Sequence, residues 1–199
     1  MFCNQCEQTA KGIGCDKVGV CGKQPDIAAL QDLLLHAVKG LSQVAVEGRK
    51  VGVVDEQINL FTAKAVFSTL TNVNFDSDRF VELIAQCVTH KDALKAKVTA
   101  AGGSADFEAA CCDCAGMDKE ALVAAGEKVG VTTFDANEDL ASLKQILTYG
   151  LKGLAAYADH AAILGQTDDA VFAFIQEALV KTSDMTLSAD DMVGLVLKC

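Results

Sequence analysis

Apolar residues recur three and four positions apart at Leu30, Leu34, Ala37, Leu41 and Val44, the spacing of one helix face. They predict a helix over about 26–47 that Gly48 and Gly52 interrupt. A second helical pattern covers about 54–73. A third begins after the Asn74–Ser77 turn, carries Phe80, Leu83, Ile84 and Cys87, and stops at Gly102-Gly103. The rhythm then lapses over 104–137, which reads as a connector with a short helical run near 118–128 and a turn through Val131–Phe134.

Beyond the connector the first pattern returns. The stretch starting at Asp139 lies over the stretch starting at Asp26 at an offset of 113, so that Lys39-Gly40-Leu41 falls on Lys152-Gly153-Leu154. The same offset carries Phe61, Ala65 and Thr69 onto Phe174, Ala178 and Thr182, and an offset of 112 carries Val81, Leu83 and Cys87 onto Val193, Leu195 and Cys199. An almost constant offset across three helices reads as an internal repeat. The predicted fold is all-α, with two tandem three-helix bundles preceded by a Cys/Gly-rich loop: 1–25 the loop, 26–103 the first bundle, 104–137 the connector and 138–199 the second bundle. The first bundle's third helix runs on well past Cys87, whereas the second reaches only Cys199. The sequence therefore reads as part of a longer protein, cut within the third helix of its second bundle.

Composition narrows the function classes. The apolar fraction is 51% with no Trp and a single proline, Pro25, which describes an aliphatic helical core. A formal charge of −10 argues against nucleic acid and against anionic membrane, and fits a neutral or basic redox partner better. Nothing before Cys3 resembles a signal peptide, and no stretch reaches the roughly 18 uninterrupted apolar residues of a membrane span, so a cytoplasmic location is expected. Nine cysteines in a reducing compartment point to metal ligation or buried thiols, not to disulfides.

The chemistry concentrates in residues 1–24. Cys3-x2-Cys6-x8-Cys15-x5-Cys21 puts four thiols on a segment that also carries Gly12, Gly14, Gly19 and Gly22 and has no helical period. Four thiolates there can converge on one centre, and glycines let backbone N–H groups approach its sulfurs. Zinc accepts the same ligands. A short glycine-rich loop, in place of two separated zinc knuckles, favours an iron–sulfur cluster, and spacing alone leaves both open.

Other candidates carry bland readings. Cys87 and Cys199 occupy equivalent apolar positions and read as small core residues. Cys111, Cys112 and Cys114 read as exposed connector thiols. His36, His90 and His160 lack metal-binding pairing. The acidic residues at Asp76–Asp78, Glu138–Asp139 and Asp168–Asp169 stand where helices begin and read as caps, and the Lys-Gly-Leu repeats read as close helix packing at Gly40 and Gly153. No catalytic residue is assigned.

The opening Met-Phe-Cys-Asn-Gln-Cys-Glu-Gln-Thr-Ala, with Gly-Cys at 14–15, Gly-Val-Cys-Gly-Lys at 19–23 and Gly-Leu-Lys-Gly-Leu-Ala-Ala-Tyr-Ala-Asp-His-Ala at 150–161, resembles the N-terminal region of the hybrid cluster proteins, the prismane or hydroxylamine reductase family. The resemblance spans essentially the whole chain. It implies that Cys3, Cys6, Cys15 and Cys21 ligate the family's proximal cluster, and their spacing resembles the shorter of its two patterns, which goes with [4Fe–4S]; the longer pattern goes with [2Fe–2S]. It further implies a helical first domain of two three-helix bundles, and a hybrid iron–sulfur–oxygen cluster in later domains outside this sequence. There the family reduces hydroxylamine to ammonia, with nitric oxide reduction also proposed. The expected role is an electron relay between a redox donor protein and those missing C-terminal domains, inactive alone, with a zinc-stapled helical interaction module as the alternative. The Cys-Cys-Asp-Cys run at 111–114 is not part of the family pattern, and its role stays open.

Overall fold

Each periodic segment becomes a helix in the structure, a computed structural model that describes residues 1–105, 107, 114–133 and 137–199. Among the described residues seven α-helices run in the order α1 (Pro25–Lys50), α2 (Glu56–Ser68), α3 (Ser77–Ala100), α4 (Lys119–Gly126), α5 (Glu138–Ile163), α6 (Asp169–Lys181) and α7 (Ala189–Lys198). They contain no strand; one isolated antiparallel bridge joins Cys3 to Cys15.

Local chemistry explains the helix starts. Pro25 opens α1, where its missing N–H costs nothing. The side chains of Asp55, Asp76, Asp118 and Asp168 accept hydrogen bonds from first-turn N–H groups, and Ser188 with Asp191 forms a capping box on α7. At α5 the cap is Asn137, and Glu138 with Asp139 lies in the first turn, where the helix dipole favours them.

Two boundaries differ from the sequence expectation. Helix α1 passes through Gly48 and ends beyond Lys50, at Gly52 with φ +77. Gly48 serves packing instead, since a Cβ there would stand 2.9 Å from the Val53 carbonyl oxygen. Helix α2 stops at Ser68, short of residue 73. Thr69 Oγ1 donates to the Val66 carbonyl at 2.7 Å, and the buried Lys152 ammonium donates to the Thr69 carbonyl at 3.1 Å, closing the helix end from α5.

The internal repeat is visible in the helices. Those of the second half begin at 138, 169 and 189 against 25, 56 and 77, offsets of 113, 113 and 112. Helices α1 and α5 are 26 residues each, and α2 and α6 are 13 each. Equivalent residues share environments: Phe61 and Phe174, Ala65 and Ala178, and Thr69 and Thr182 are all buried. The third helices diverge, because Leu83 and Cys87 are buried against α1 whereas Leu195 is partly exposed and Cys199 exposed on α7, which packs on α5. The expectation that Cys199 is a core residue fails for this reason.

Helix α1 packs against α2, α3, α4 and α6, and α2 also packs on α5, so both halves feed one hydrophobic core. Leu30, Leu33, Leu34, Val38, Leu41 and Val44 have no accessible surface, and burial nearly all round α1 is what a central helix requires. The halves are also tied by polar contacts. Arg49 of α1 grips Asp169 of α6 through two hydrogen bonds of 2.7 and 2.9 Å, and also donates to Gln176 and Asn59, each at 3.1 Å. Its guanidinium holds the Asp169 carboxyl below the usual range.

The connector is more than a spacer. Helix α4 lies on α1 and buries Leu122 and Gly126, and Cys114 is buried as well, which corrects its reading as an exposed thiol. Cys111 and Cys112 lie outside the described residues. A Cβ on Gly126 would fall 2.0 Å from the Ala29 carbonyl oxygen, whereas one on Gly153 would meet nothing within 4 Å. Close packing therefore does not account for Gly153, contrary to the sequence reading. We expect Gly126→Ala to cost roughly 1–3 kcal/mol by forcing α4 off α1. Gly153→Ala should gain up to about 1 kcal/mol from helix propensity. Urea denaturation of both variants beside the wild type checks the pair, and a neutral Gly126→Ala or a destabilised Gly153→Ala would contradict the packing described.

Candidate metal centre

The N-terminal loop is built from turns that place its cysteines. Cys3 and Cys15 exchange backbone hydrogen bonds of 3.0 and 2.8 Å, and such a pair directs both side chains to one face. Gly14 makes this possible, since a Cβ there would lie 2.3 Å from the Phe2 ring. The Cys6 carbonyl accepts from Thr9 N at 3.2 Å and from Thr9 Oγ1 at 2.6 Å, turning the chain into the 3-10 segment Ala10–Gly12. Cys21 sits inside a turn closed by Gly19 N to the Lys23 carbonyl and Gly22 N to the Gly19 carbonyl, both 2.8 Å. A Cβ on Gly19 would stand 3.0 Å from Cys21 Sγ, so the glycine leaves that thiol room. Cys15 is buried, Cys3, Cys6 and Cys21 are half-buried, and all four are free thiols.

Behind the loop lies a buried polar layer. Lys23, 1% exposed, donates to Gln31 Oε1 at 2.6 Å and places its ammonium 3.9 Å from Cys3 Sγ. Asn4 donates to Gln145 Oε1 at 2.9 Å and accepts from the Tyr149 hydroxyl, fastening the segment between Cys3 and Cys6 to α5. Burial, together with the charges of Cys3 and Asp32, pushes the Tyr149 hydroxyl well above its ordinary value. Burial raises the Asp32 carboxyl to about 6 despite the nearby charges of Lys152, Lys23 and Lys39. It lowers Lys152 to about 8 and, reinforced by the charge of Lys144, Lys39 to about 7.

Comparison with known proteins decides the family. The model of the Prismane/CO dehydrogenase family matches residues 1–199. The chain belongs to that family. It is 57% identical over 201 residues to a hydroxylamine reductase of Syntrophobacter fumaroxidans, covering 100% of this chain and 37% of that protein. It is 51% identical over 205 residues to a hydroxylamine reductase of Maridesulfovibrio salexigens (100% and 36%), and 50% identical over 202 residues to one of Methanocella arvoryzae (100% and 37%). This Prismane-family chain thus spans little more than a third of the length of these relatives. No described helix is long and apolar enough to cross a membrane.

Within the family chain, the sequence-predicted cysteines gather on one loop, but their side chains are not clenched around a point. Among the described residues no three His, Cys, Asp or Glu side chains stand close enough together to hold a metal ion. The donor set nevertheless fits an anionic thiolate-ligated group: four free thiols, two on one face of a backbone bridge, beside a buried cation. Cys87 and Cys114 belong to the core cluster. His90 stacks tilted on Phe61 at 4.6 Å and His160 meets Phe67 edge-on at 5.3 Å, as structural histidines do. Sequence reading missed Lys23, Gln31, Asn4, Asp32 and Tyr149; the available signal was a lysine two residues after the last cysteine and polar residues inside otherwise apolar helix turns.

The perturbed groups set a pH dependence. Between about 4 and 6 the folded chain keeps a proton on Asp32 that the unfolded chain has lost, so the Asp32 contribution to stability falls as pH rises through this window, opposed by His36, whose imidazole is held below its ordinary value by burial and by the charge of Lys39. Above about 7 the folded chain has released protons from Lys39 and then Lys152 that the unfolded chain retains to above 10, so stability climbs again. The lowered carboxylates Asp55, Asp169, Asp184 and Asp191 act only below their ordinary value of 3.8. Urea denaturation of the metal-free chain from pH 4 to 10 should show a minimum near pH 6–7. Asp32→Asn should flatten the acidic limb and, by removing the charge that raises Lys39 and Lys152, move the alkaline limb to lower pH; an unchanged acidic limb would contradict the assignment.

Proposed function

We propose that this chain is the electron-relay part of a hydroxylamine reductase and that Cys3, Cys6, Cys15 and Cys21 hold an iron–sulfur cluster, of the [4Fe–4S] type. The observation that carries the reading is the loop itself: four free thiols, Cys3 and Cys15 paired across a bridge, and the Lys23 ammonium 3.9 Å from Cys3 Sγ. Membership of the Prismane/CO dehydrogenase family and relatives named hydroxylamine reductase support it. Bound there, the cluster supplies one-electron transfer chemistry.

The chain's own residues hold and tune. The Cys3–Cys15 bridge fixes two ligands, Gly19 leaves space at Cys21 Sγ, and Asn4 anchors the loop to Gln145 and Tyr149. With the cluster held by these residues, the chain would stand between a redox donor protein and a hybrid cluster in the further domains of the longer protein, where hydroxylamine would be reduced to ammonia. On this reading the 199-residue chain alone does not turn over hydroxylamine, and it works in the cytoplasm.

Anaerobic reconstitution followed by metal analysis and visible absorption tests the proposal. The wild type should carry about four irons and four sulfides per chain, with a charge-transfer band that bleaches on reduction. A Cys15→Ala, Cys21→Ala double variant should lose both. About two irons would change the cluster type to [2Fe–2S]. One zinc and a colourless protein would overturn the relay and leave a zinc-stapled helical module.

A further inference from the structure

We infer that Lys23 is a positioning residue whose buried positive charge sets the reduction potential of the cluster at Cys3, an inference that rests on the function proposed above. A lysine that is 1% exposed has given up nearly all its water, and such a charge is retained only where something compensates it. At Lys23 the compensation in contact is unusually small. Among the described residues its ammonium makes no ion pair with a carboxylate; it donates to the neutral amide oxygen of Gln31 at 2.6 Å and faces Cys3 Sγ at 3.9 Å. Gln31 is itself committed, with its Nε2 donating to the Asn74 carbonyl at 3.1 Å, so it holds the ammonium in place without neutralising it.

The other lysines near the loop do not share this arrangement. Lys11 and Lys17 are exposed, where solvent and salt screen their charge. Lys152 is buried and feels the charge of Cys3, and Asp32 lies near both Lys152 and Lys23 in charge; what sets Lys152 apart is that its ammonium is spent on the Thr69 carbonyl. Lys23 is the cation in contact range of a ligand sulfur.

Reduction of the cluster takes one electron from a one-electron reductant; no bond forms or breaks, and the four-thiolate site gains one negative charge. A fixed ammonium in a water-poor setting favours that added charge far more than one in bulk water would. Removing it should make reduction harder, and the potential should move to more negative values.

The test is an anaerobic redox titration of the reconstituted chain, reading the midpoint potential from visible absorption, with iron and sulfide content and circular dichroism measured on the same samples. Three variants are compared with the wild type. Lys23→Met keeps the stem and deletes the charge, Lys23→Arg keeps the charge, and Gln31→Glu keeps an acceptor for Lys23 while neutralising it. The expected result is full loading throughout, a more negative midpoint for Lys23→Met and Gln31→Glu, and a midpoint near wild type for Lys23→Arg. A loaded Lys23→Met with an unchanged midpoint would overturn the inference and leave the cluster assignment standing. So would a Lys23→Arg that shifts as far as Lys23→Met, since charge would then not be the cause. Should Lys23→Met fail to load or fold, Gln31→Glu decides, and an unchanged midpoint there has the same meaning. A wild type that takes up no iron removes the proposed function, and this inference with it.

Discussion

An ammonium group shut away from water must find hydrogen-bond acceptors in place of it, and at Lys23 this requirement governs how the cysteine loop meets the helices. The lysine arrives from the loop, two residues after Cys21, and its acceptor Gln31 sits on α1, the helix buried nearly all round. Its other neighbour is Cys3, at the far end of the same loop. One side chain therefore joins both ends of the loop to the centre of the core. Asn4 adds a second fastening, to Gln145 and Tyr149 on α5. Three of the loop's apolar side chains, Ile13, Val18 and Val20, point into solvent. The loop's position is set by polar contacts made in a water-poor layer, where each is stronger than it would be on the surface and costly to leave half-made.

The internal repeat supplies that layer from both halves of the chain. At an offset of 113, Gln31 corresponds to Lys144, Asp32 to Gln145, His36 to Tyr149 and Lys39 to Lys152. The helix positions that carry polar groups are thus the same in α1 and α5, but the loop engages them unevenly, taking Gln31 from the first half and Gln145 with Tyr149 from the second. The lysine pair has a related logic. Lys152 of α5 closes the end of α2 at Thr69, and Lys39 of α1 borders a cavity of about 170 Å³ that Thr182 and Ser183, at the end of α6, also line. Each half carries a buried lysine beside the end of the other half's second helix, a place where the helix dipole favours a cation.

Much of this fold is legible in the sequence because helical period and cap chemistry are local. Leu30, Leu34, Leu41 and Val44 announce α1, and Asp76 and Asp168 announce α3 and α6. The repeat offset was readable for the same reason, since equivalent residues answer to equivalent burial. What the sequence hides is partnership. Nothing local says that Gly126 rests on Ala29 while Gly153 rests on nothing, or that the Cys114 thiol is covered. The cysteine loop was legible as chemistry, through four thiols and four glycines in one short segment, and illegible as geometry. Lys23 shows the limit most clearly: nothing in the Cys-Gly-Lys run at 21–23 marks the lysine as buried, and its partner Gln31 lies on α1.

The thiols' separation bears on how the site and the scaffold divide their work. The core cluster built on α1 to α7 contains none of the loop's four cysteines, so the hydrophobic core does not depend on a metal for its closure. That differs from small domains whose core is too meagre to fold until a metal staples them. The loop then adds to a body already formed, and what it gains from that body is a defined electrostatic setting: Lys23 in contact, Lys152 and Asp32 behind it, Tyr149 on Asn4. A group bound at the four thiols would sit between solvent on the side of Ile13 and Val20 and a layer of fixed charges on the side of α1 and α5. The potential of a thiolate-ligated cluster depends on charge, hydrogen bonds to sulfur and exposure, and all three differ between those sides. The asymmetry comes from the helical body, which makes the two helical halves part of the site's chemistry and more than its support.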